Sequence, residues 1–388
     1  MDLDKIQSAL REQQLDAWLF YDHHHRDPLG YRILGLSDAL HITRRWYYLV
    51  PAQGAPLKLV HRVEQGRLDT LPGAKAVYST WQEMEAGLAT MLEGHTRLAM
   101  QYSPRNAIMY ISLVDAGTVE LLRGMGKQIV SSADLVSHFE AVLSEEQKAS
   151  HYAAQRAIDS ILAEGFRQIG QRVDHGGVTE HDMVAWFQEA MQREGLVWEH
   201  GPNVSVNANS SDSHYDPTPE TALPIRAGDF VLIDIWARKD QPGAVFYDIT
   251  WTGVVKRAPS AREQQVFQTV IAARDAAIHA VQQAFAEGRP IAGWQADDAA
   301  RNVVRAAGFA EYFTHRTGHN IATDLHGNGA HLDNFETHDE RLLLPNTCFS
   351  VEPGIYLPEF GVRSEIDMMT RPGHAEVTGR IQTELVRI

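Results

Sequence analysis

Along the first 140 residues, hydrophobic positions follow two different periods, one typical of helices and one typical of strands. A short amphipathic helix is predicted after Asp4, which can cap it, with Ile6, Ala9 and Leu10 on its apolar face. Short apolar runs between turn-forming residues then predict strands at residues 17–21, 46–50, 57–60, 97–102 and 128–131. This mixture predicts a small α/β domain.

A domain boundary is expected near residue 143. Ser144 and Gln147 form a capping box, in which each side chain can satisfy a free N–H group of the other. A long helix follows, Thr179 and Asp182 start a second helix, and two strand-like segments lie at residues 230–236 and 246–255. We therefore predict one domain of residues 1–143 and another of residues 144–388.

The second domain then repeats the same order of elements. Ser260 and Glu263 form a capping box before a long helix that ends at Gly288, and a second helix is predicted at residues 295–307. Strand-like segments follow at residues 348–352 and 361–369. Although the two halves share little sequence identity and coincidence is the alternative, this repeat predicts an α+β domain of two similar helix–helix–hairpin halves.

The two predicted hairpins carry acidic residues at matching places. Asp234 precedes Glu352 by 118 residues, and Asp248 precedes Glu365 by 117. With His319 these residues are too much charge to bury unless cations compensate it. The sequence therefore predicts a hydrolytic site with two metal ions.

The turns predict how each acidic pair is arranged, because opposed residues of an antiparallel hairpin share a midpoint at the turn. The midpoint of Asp234 and Asp248 is residue 241, inside the turn-forming sequence of residues 240–243. The midpoint of Glu352 and Glu365 lies between residues 358 and 359. We expect each pair to be directly opposed on one face of a sheet. The alternative is that one member of each pair is exposed at a strand end, because opposed like charges destabilise a sheet.

Composition narrows the class of protein. A chain of 388 residues with 44% hydrophobic residues suits a globular protein of about two domains. It has neither an apolar run long enough for a membrane span nor the pattern of a signal peptide. The single cysteine, Cys348, favours the reducing cytoplasm, and a net charge of −15 argues against nucleic-acid binding.

At the predicted ligands the chain resembles metallopeptidases of the creatinase "pita-bread" fold, which include Xaa-Pro dipeptidases (prolidases), Xaa-Pro aminopeptidases and methionine aminopeptidases. The resemblance covers residues 145–388, and residues 1–143 resemble the smaller creatinase-like α/β domain of proline-directed members. The motifs that carry it are Tyr247-Asp248-Ile249-Thr250, His315-Arg316-Thr317-Gly318-His319, His326, Val351-Glu352-Pro353-Gly354-Ile355-Tyr356 and Gly361-Val362-Arg363-Ser364-Glu365.

The resemblance implies two divalent metal ions. It implies that Asp234 and Asp248 hold one ion, that His319 and Glu352 hold the other, and that Asp248 and Glu365 bridge them. Oxygen-rich ligands with one imidazole suit Mn²⁺ or Zn²⁺, and Co²⁺ also fits.

Catalytic roles are implied in the same way. Glu352 would move a proton to or from the attacking water. His214 and His326 match the family positions that contact substrate and stabilise the oxyanion. For His214, an ordinary surface histidine is the alternative.

Four departures from the family pattern affect the walls of the pocket. Trp236 stands where glycine is usual, and the two Asp ligands are 14 residues apart instead of 11. Asn320 and Gly327 replace the usual glycine and acid after the two histidines. None of these changes removes a ligand, so the reaction type is better defined than the substrate.

Domain layout and intact ligands favour an Xaa-Pro dipeptidase among the family members. Methionine aminopeptidases typically lack an N-terminal domain, and creatinase lacks the metal ligands. An Xaa-Pro aminopeptidase acting on longer peptides and an inactive peptide-binding protein are the alternatives. In a dipeptidase a cation would bind the substrate carboxylate, and the candidates are His331, His338, Arg341 and Arg363. The resemblance also implies a homodimer, with residues 22–27 near the mouth of the site.

Overall fold

The computed structural model describes residues 1–39 and 41–388. The chain divides into two compact units, Met1–Glu140 and Ala141–Ile388. This division lies close to the boundary that the capping box at Ser144 predicts. Both units combine helices with β-sheets.

The first unit is built on a mixed β-sheet. Its strands are β1 (Ala17–Asp22), β2 (Trp46–Pro51), β3 (Leu57–His61), β4 (Ala74–Tyr78), β5 (Arg97–Met100) and β6 (Gln128–Ser131). Its helices are α1 (Leu3–Glu12), α2 (Pro28–Leu34), α3 (Trp81–Met91), α4 (Ala116–Gly124) and α5 (Ala133–Glu140). In the order β4-β3-β2-β1-β5-β6, the sheet carries one hydrophobic cluster on each face.

Two details of this unit differ from the sequence prediction. Asp2, and not Asp4, caps α1, because its carboxylate accepts the Lys5 N–H at 3.1 Å. Strand β4 was not predicted, since its sequence, Ala-Lys-Ala-Val-Tyr, lacks the regular apolar alternation of a half-buried strand. It lies at the edge of the sheet and pairs in parallel with β3.

The first half of the second unit contains α6 (Glu145–Asp174) and α7 (Glu180–Arg193). Its strands are β7 (Val178–Thr179), β8 (Leu196–Val197), β9 (Asn203–Val206), β10 (Pro224–Ile225), β11 (Phe230–Lys239) and β12 (Tyr247–Val254). The predicted capping boxes begin both helices. The helices cross closely at Gly165, where a Cβ atom would lie 2.1 Å from the Phe187 ring.

The second half begins with α8 (Ala261–Ala286) and α9 (Gly293–Ala306). Its strands are β13 (Asn320–Ile321), β14 (Cys348–Val351), β15 (Gly354–Tyr356), β16 (Gly361–Arg363), β17 (Ile366–Arg371), β18 (His374–Thr378) and β19 (Val386–Arg387). The capping box at Ser260 begins α8 as predicted. Strand β19 returns to the first half and pairs in parallel with β12.

The two halves repeat the order helix, helix, hairpin. Their second helices, α7 and α9, both have 14 residues. Each half has its own hydrophobic cluster, one around α6 and α7 and the other around α8 and α9. The structure therefore has the predicted α+β pita-bread architecture with related halves. Within residues 1–39 and 41–388, no helix is both long and apolar enough to cross a membrane.

Candidate active site

The hairpin of β11 and β12 carries Asp234 and Asp248 on one face. Asp234 pairs with Thr250, and Asp248 pairs with Trp236. The prediction that the two Asp are directly opposed is therefore wrong, because the centre of the hairpin lies one residue later than the sequence indicates. This register avoids opposed like charges and places the Thr250 hydroxyl 2.8 Å from Asp234 Oδ1.

Glu352 and Glu365 lie where the second hairpin is interrupted. The register of β14 with β17 and that of β15 with β16 both place Glu352 opposite Glu365, as the turn arithmetic predicts. Their amides bond to residues outside this hairpin. The Glu352 N–H donates to the Thr317 carbonyl at 2.7 Å, and the Glu365 N–H donates to the Thr250 carbonyl at 3.1 Å. The second bond ties the two acidic hairpins together.

His319 lies between the hairpins and is almost fully buried. Its Nε2 atom lies 3.6 Å from Asp248 Oδ2 and 3.4 Å from Glu352 Oε1. Asp248, His319 and Glu365 each offer one ligand atom, and these three atoms lie within 4.8 Å of one another. The structure thus brings these side chains close enough to share a cation.

Burial raises the pKa values of three carboxyl groups of the site. Desolvation raises the pKa of Glu352 to about 7. Desolvation and then the neighbouring carboxylates raise the pKa of both Asp248 and Glu365 well above the ordinary range. Within the described part of the chain, Asp248 Oδ1 and Glu365 Oε1 are buried with no hydrogen-bond partner. Because unpaired buried oxygens are costly and suit hard or borderline cations, this arrangement fits a divalent metal ion.

Arg363 is an internal cation of this site. Its guanidinium donates to Asp234, to Thr250 Oγ1 at 3.0 Å and to the Tyr356 hydroxyl at 3.3 Å. Its Nε atom lies 3.9 Å from Glu352. Only 4% of Arg363 is exposed, and its guanidinium is engaged with Asp234.

The other three residues predicted to bind the substrate carboxylate also form hydrogen bonds within the protein. His331 is buried, and its Nδ1 atom accepts the Asn320 N–H at 3.0 Å. Arg341 is buried against Asp339. His338 is exposed, and its ring bonds to Asn334 at 2.6 Å. The assignment of a substrate-binding cation among these four residues stays a prediction.

The two predicted substrate histidines differ in their surroundings. The His326 ring packs edge-on against His319, with centroids 4.2 Å apart. Desolvation lowers the pKa of His326 to about 4, although part of its ring remains exposed. His200 and His214 lie near enough to His326 to contribute to this lowering. His214 itself is exposed on the loop between β9 and β10.

Sequence reasoning gave no role to several residues of the site. The Thr250 hydroxyl lies 2.6 Å from Glu365 as well as close to Asp234. The Tyr356 hydroxyl bonds to His315 Nε2 at 2.7 Å and so joins this imidazole to Arg363. Alternation from Asp248 could have placed Thr250 on the metal-facing side, whereas no sequence signal connects Tyr356 with His315.

A second group of ligand-type side chains lies behind the site. His151, Cys348 and Asp367 are buried with possible ligand atoms within 4.8 Å of one another. However, His151 already bonds through Nδ1 to the Phe246 carbonyl at 2.6 Å and through Nε2 to Thr378 at 2.9 Å. We therefore interpret this group as a satisfied buried histidine beside polar neighbours.

Solved structures share this fold across the chain. The dipeptidase PepE from Mycobacterium ulcerans matches with a TM-score of 0.68 and 24% identity, over 99% of this chain and 96% of that one. The X-Pro aminopeptidase from Thermotoga maritima matches with a TM-score of 0.60 and 19% identity, over 100% and 99%. At these identities the likeness defines the fold alone, that of the two-half pita-bread architecture.

Sequence comparison then defines the family. The profile of metallopeptidase family M24 matches residues 148–372, and the chain belongs to this family. The Xaa-Pro dipeptidase of Lactobacillus helveticus is 29% identical over 215 residues, which cover 54% of each chain. The chain thus matches about half the length of this relative.

Proposed function

We propose that this protein is a metal-dependent Xaa-Pro dipeptidase that hydrolyses the peptide bond before proline. The observation that carries the proposal is the convergence of Asp248, His319 and Glu365, with two carboxylate oxygens that lack a hydrogen-bond partner among the described residues. Family membership supports the reaction type, and the names of the relatives support proline-directed substrates.

The proposed ligands form two overlapping sets. Asp234 and Asp248 would hold one divalent ion, His319 and Glu352 would hold the other, and Asp248 and Glu365 would be shared between them. When bound, such a pair lowers the pKa of a shared water and polarises the scissile carbonyl. Mn²⁺ or Zn²⁺ suits these donors, with Co²⁺ as a further candidate.

The remaining roles belong to side chains beside these ligands. Glu352 lies 3.4 Å from the His319 imidazole and is partly open to the site, so its carboxylate can take up and release the proton of an attacking water. His326 is uncharged at neutral pH, because its pKa is lowered to about 4. Its ring N–H, together with that of His214, would donate to the oxyanion. The proposal includes a homodimer in the cytoplasm, following the family resemblance.

Peptide length tests the specificity. Purified protein supplied with Mn²⁺ or Zn²⁺ should hydrolyse Ala-Pro and Met-Pro faster than Ala-Pro-Ala. Preference for the tripeptide would instead indicate an Xaa-Pro aminopeptidase. Chelation, Asp248→Ala and Glu352→Ala should each abolish turnover, and an active metal-stripped protein would refute the mechanism.

A further inference from the structure

Two fully buried carboxylates lie near the starts of the second helices of the two halves of the second unit. Glu180 is the first residue of α7, and Asp297 lies in the second turn of α9. They are 117 residues apart, the same separation as Asp248 and Glu365. Both have 0% exposure. Neither is one of the proposed metal ligands, and each is buried among hydrogen-bond donors of its own half.

Glu180 accepts hydrogen bonds from both ends and the middle of the loop that carries His214. Its carboxylate accepts the Val206 N–H at 2.7 Å and the Leu223 N–H at 2.7 Å, which lie at the two ends of that loop. It also accepts the Asn209 side-chain amide at 3.0 Å and the Tyr215 hydroxyl at 2.8 Å. Because Tyr215 is adjacent to His214, these bonds fix the base of the loop and the residue beside the histidine.

Asp297 accepts hydrogen bonds from the segment that carries His319. One of its oxygens accepts both the N–H, at 2.9 Å, and the hydroxyl of Thr317. The other accepts Arg301 Nε at 2.5 Å and the Asn334 N–H at 2.9 Å. The carbonyl of Thr317 accepts the Glu352 N–H at 2.7 Å.

Thr317 therefore connects Asp297 to two proposed ligands of one metal ion. His319 follows it by two residues, and the Glu352 backbone bonds to it directly. Between them, Gly318 packs so closely on β14 that a Cβ atom would lie 2.0 Å from the Ser350 carbonyl oxygen. A shift of Thr317 would thus change the position of His319 relative to Glu352.

We propose that Glu180 and Asp297 are a pair of positioning residues with separate effects, Glu180 on the substrate histidine His214 and Asp297 on the metal ligands His319 and Glu352. This inference rests on the function proposed above. Each carboxylate receives hydrogen bonds from four donor groups and offers only acceptors. An amide in its place would turn an N–H₂ group toward donors, so Gln or Asn disturbs the bonds while keeping the volume.

The test compares Glu180→Gln with Asp297→Asn in the full-length protein. Mn²⁺ affinity is measured by titration calorimetry, and kcat and KM are measured on Ala-Pro at saturating Mn²⁺. Glu180→Gln should leave Mn²⁺ affinity unchanged and lower kcat/KM. Asp297→Asn should weaken Mn²⁺ binding by about 10- to 100-fold, as is usual for residues that support metal ligands. Raising the Mn²⁺ concentration should restore much of its turnover.

Matched controls are Glu189→Gln on the exposed side of α7 and Asp240→Asn in an exposed turn. Both should behave as wild type. If either main variant fails to fold, Tyr215→Phe and Thr317→Val each remove a single donor. Tyr215→Phe should then lower kcat/KM alone, and Thr317→Val should weaken Mn²⁺ binding, each by less than the main variant.

Some outcomes would overturn the inference. If both variants lose Mn²⁺ affinity and turnover in parallel, or if excess Mn²⁺ does not rescue Asp297→Asn, the carboxylates merely stabilise the fold. If the wild-type protein cleaves Ala-Pro while the variants behave alike, only the inference fails. A wild-type protein that binds no Mn²⁺ and cleaves no Xaa-Pro peptide would overturn the proposed function together with it.

Discussion

Metal removal should destabilise this protein by an amount that grows with pH. Without metal, desolvation raises the pKa of Glu352 from 4.5 to about 7. The folded metal-free chain then binds a proton that the unfolded chain releases, so this contribution to stability falls as the pH rises between these values. The separation between 4.5 and about 7 corresponds to about 3 kcal/mol. Asp248 and Glu365, whose pKa values are also raised, act in the same direction.

The quantity to measure is the difference between metal-loaded and metal-free protein. Ligand carboxylates stay deprotonated when metal is bound. The stability of the metal-loaded protein therefore does not fall with rising pH for this reason. His151 and His315, with pKa values lowered to about 4 and about 3, make both forms more stable as the pH rises to about 6.5, and their effect cancels in the difference.

Thermal unfolding between pH 4.5 and 7.5, with excess Mn²⁺ or with a chelator, provides the assay. The gap between the two Tm values should widen by about 6–12 °C for about 3 kcal/mol in a unit of this size. A gap that stays constant or narrows over this range would refute the reasoning.

Three substitutions test other parts of the site and fold. Asp248→Asn should lose tight Mn²⁺ binding in calorimetry, since an amide is a weaker ligand for this metal; binding at wild-type affinity would contradict the ligand assignment. Arg363→Met should lower the unfolding free energy of the metal-free protein by about 3–5 kcal/mol in urea, because it leaves Asp234 without its buried cation. Added Mn²⁺ should recover part of that loss, and an unchanged midpoint would argue against the ion pair. Gly165→Ala should cost about 1–3 kcal/mol, because the new Cβ meets the Phe187 ring; a neutral effect would mean that α6 and α7 separate easily.

The repeat of helices and hairpins was predictable because it depends on local signals. The capping boxes at Ser144, Thr179 and Ser260 are present as predicted and begin α6, α7 and α8. Strand β4 was missed because its partner strand, and not its own pattern, stabilises it. Local propensity identifies elements with a strong period and misses those that tertiary pairing imposes.

The register of the hairpins was only half predictable. For Glu352 and Glu365 the turn is short, and its centre follows from the sequence. For Asp234 and Asp248 the connection between β11 and β12 is longer, and Gly243, at φ +74°, helps it to turn one residue later than expected. Turn conformation decides register, and one sequence does not specify which turn a long connection adopts.

The partner of Arg363 could not be read from the sequence either, and it changes the interpretation of the site. Of the four carboxylates, Asp234 and Glu352 lie beside the buried cation Arg363. The negative charge left without a cation therefore lies on the other side, at Asp248 and Glu365, where each carboxylate has an oxygen with no partner. His319, which is neutral because burial keeps its pKa well below the ordinary value, cannot supply the missing charge. Protons balance this charge in the metal-free chain, and a bound cation would replace them, so the proposed metal requirement is concentrated where the two hairpins meet.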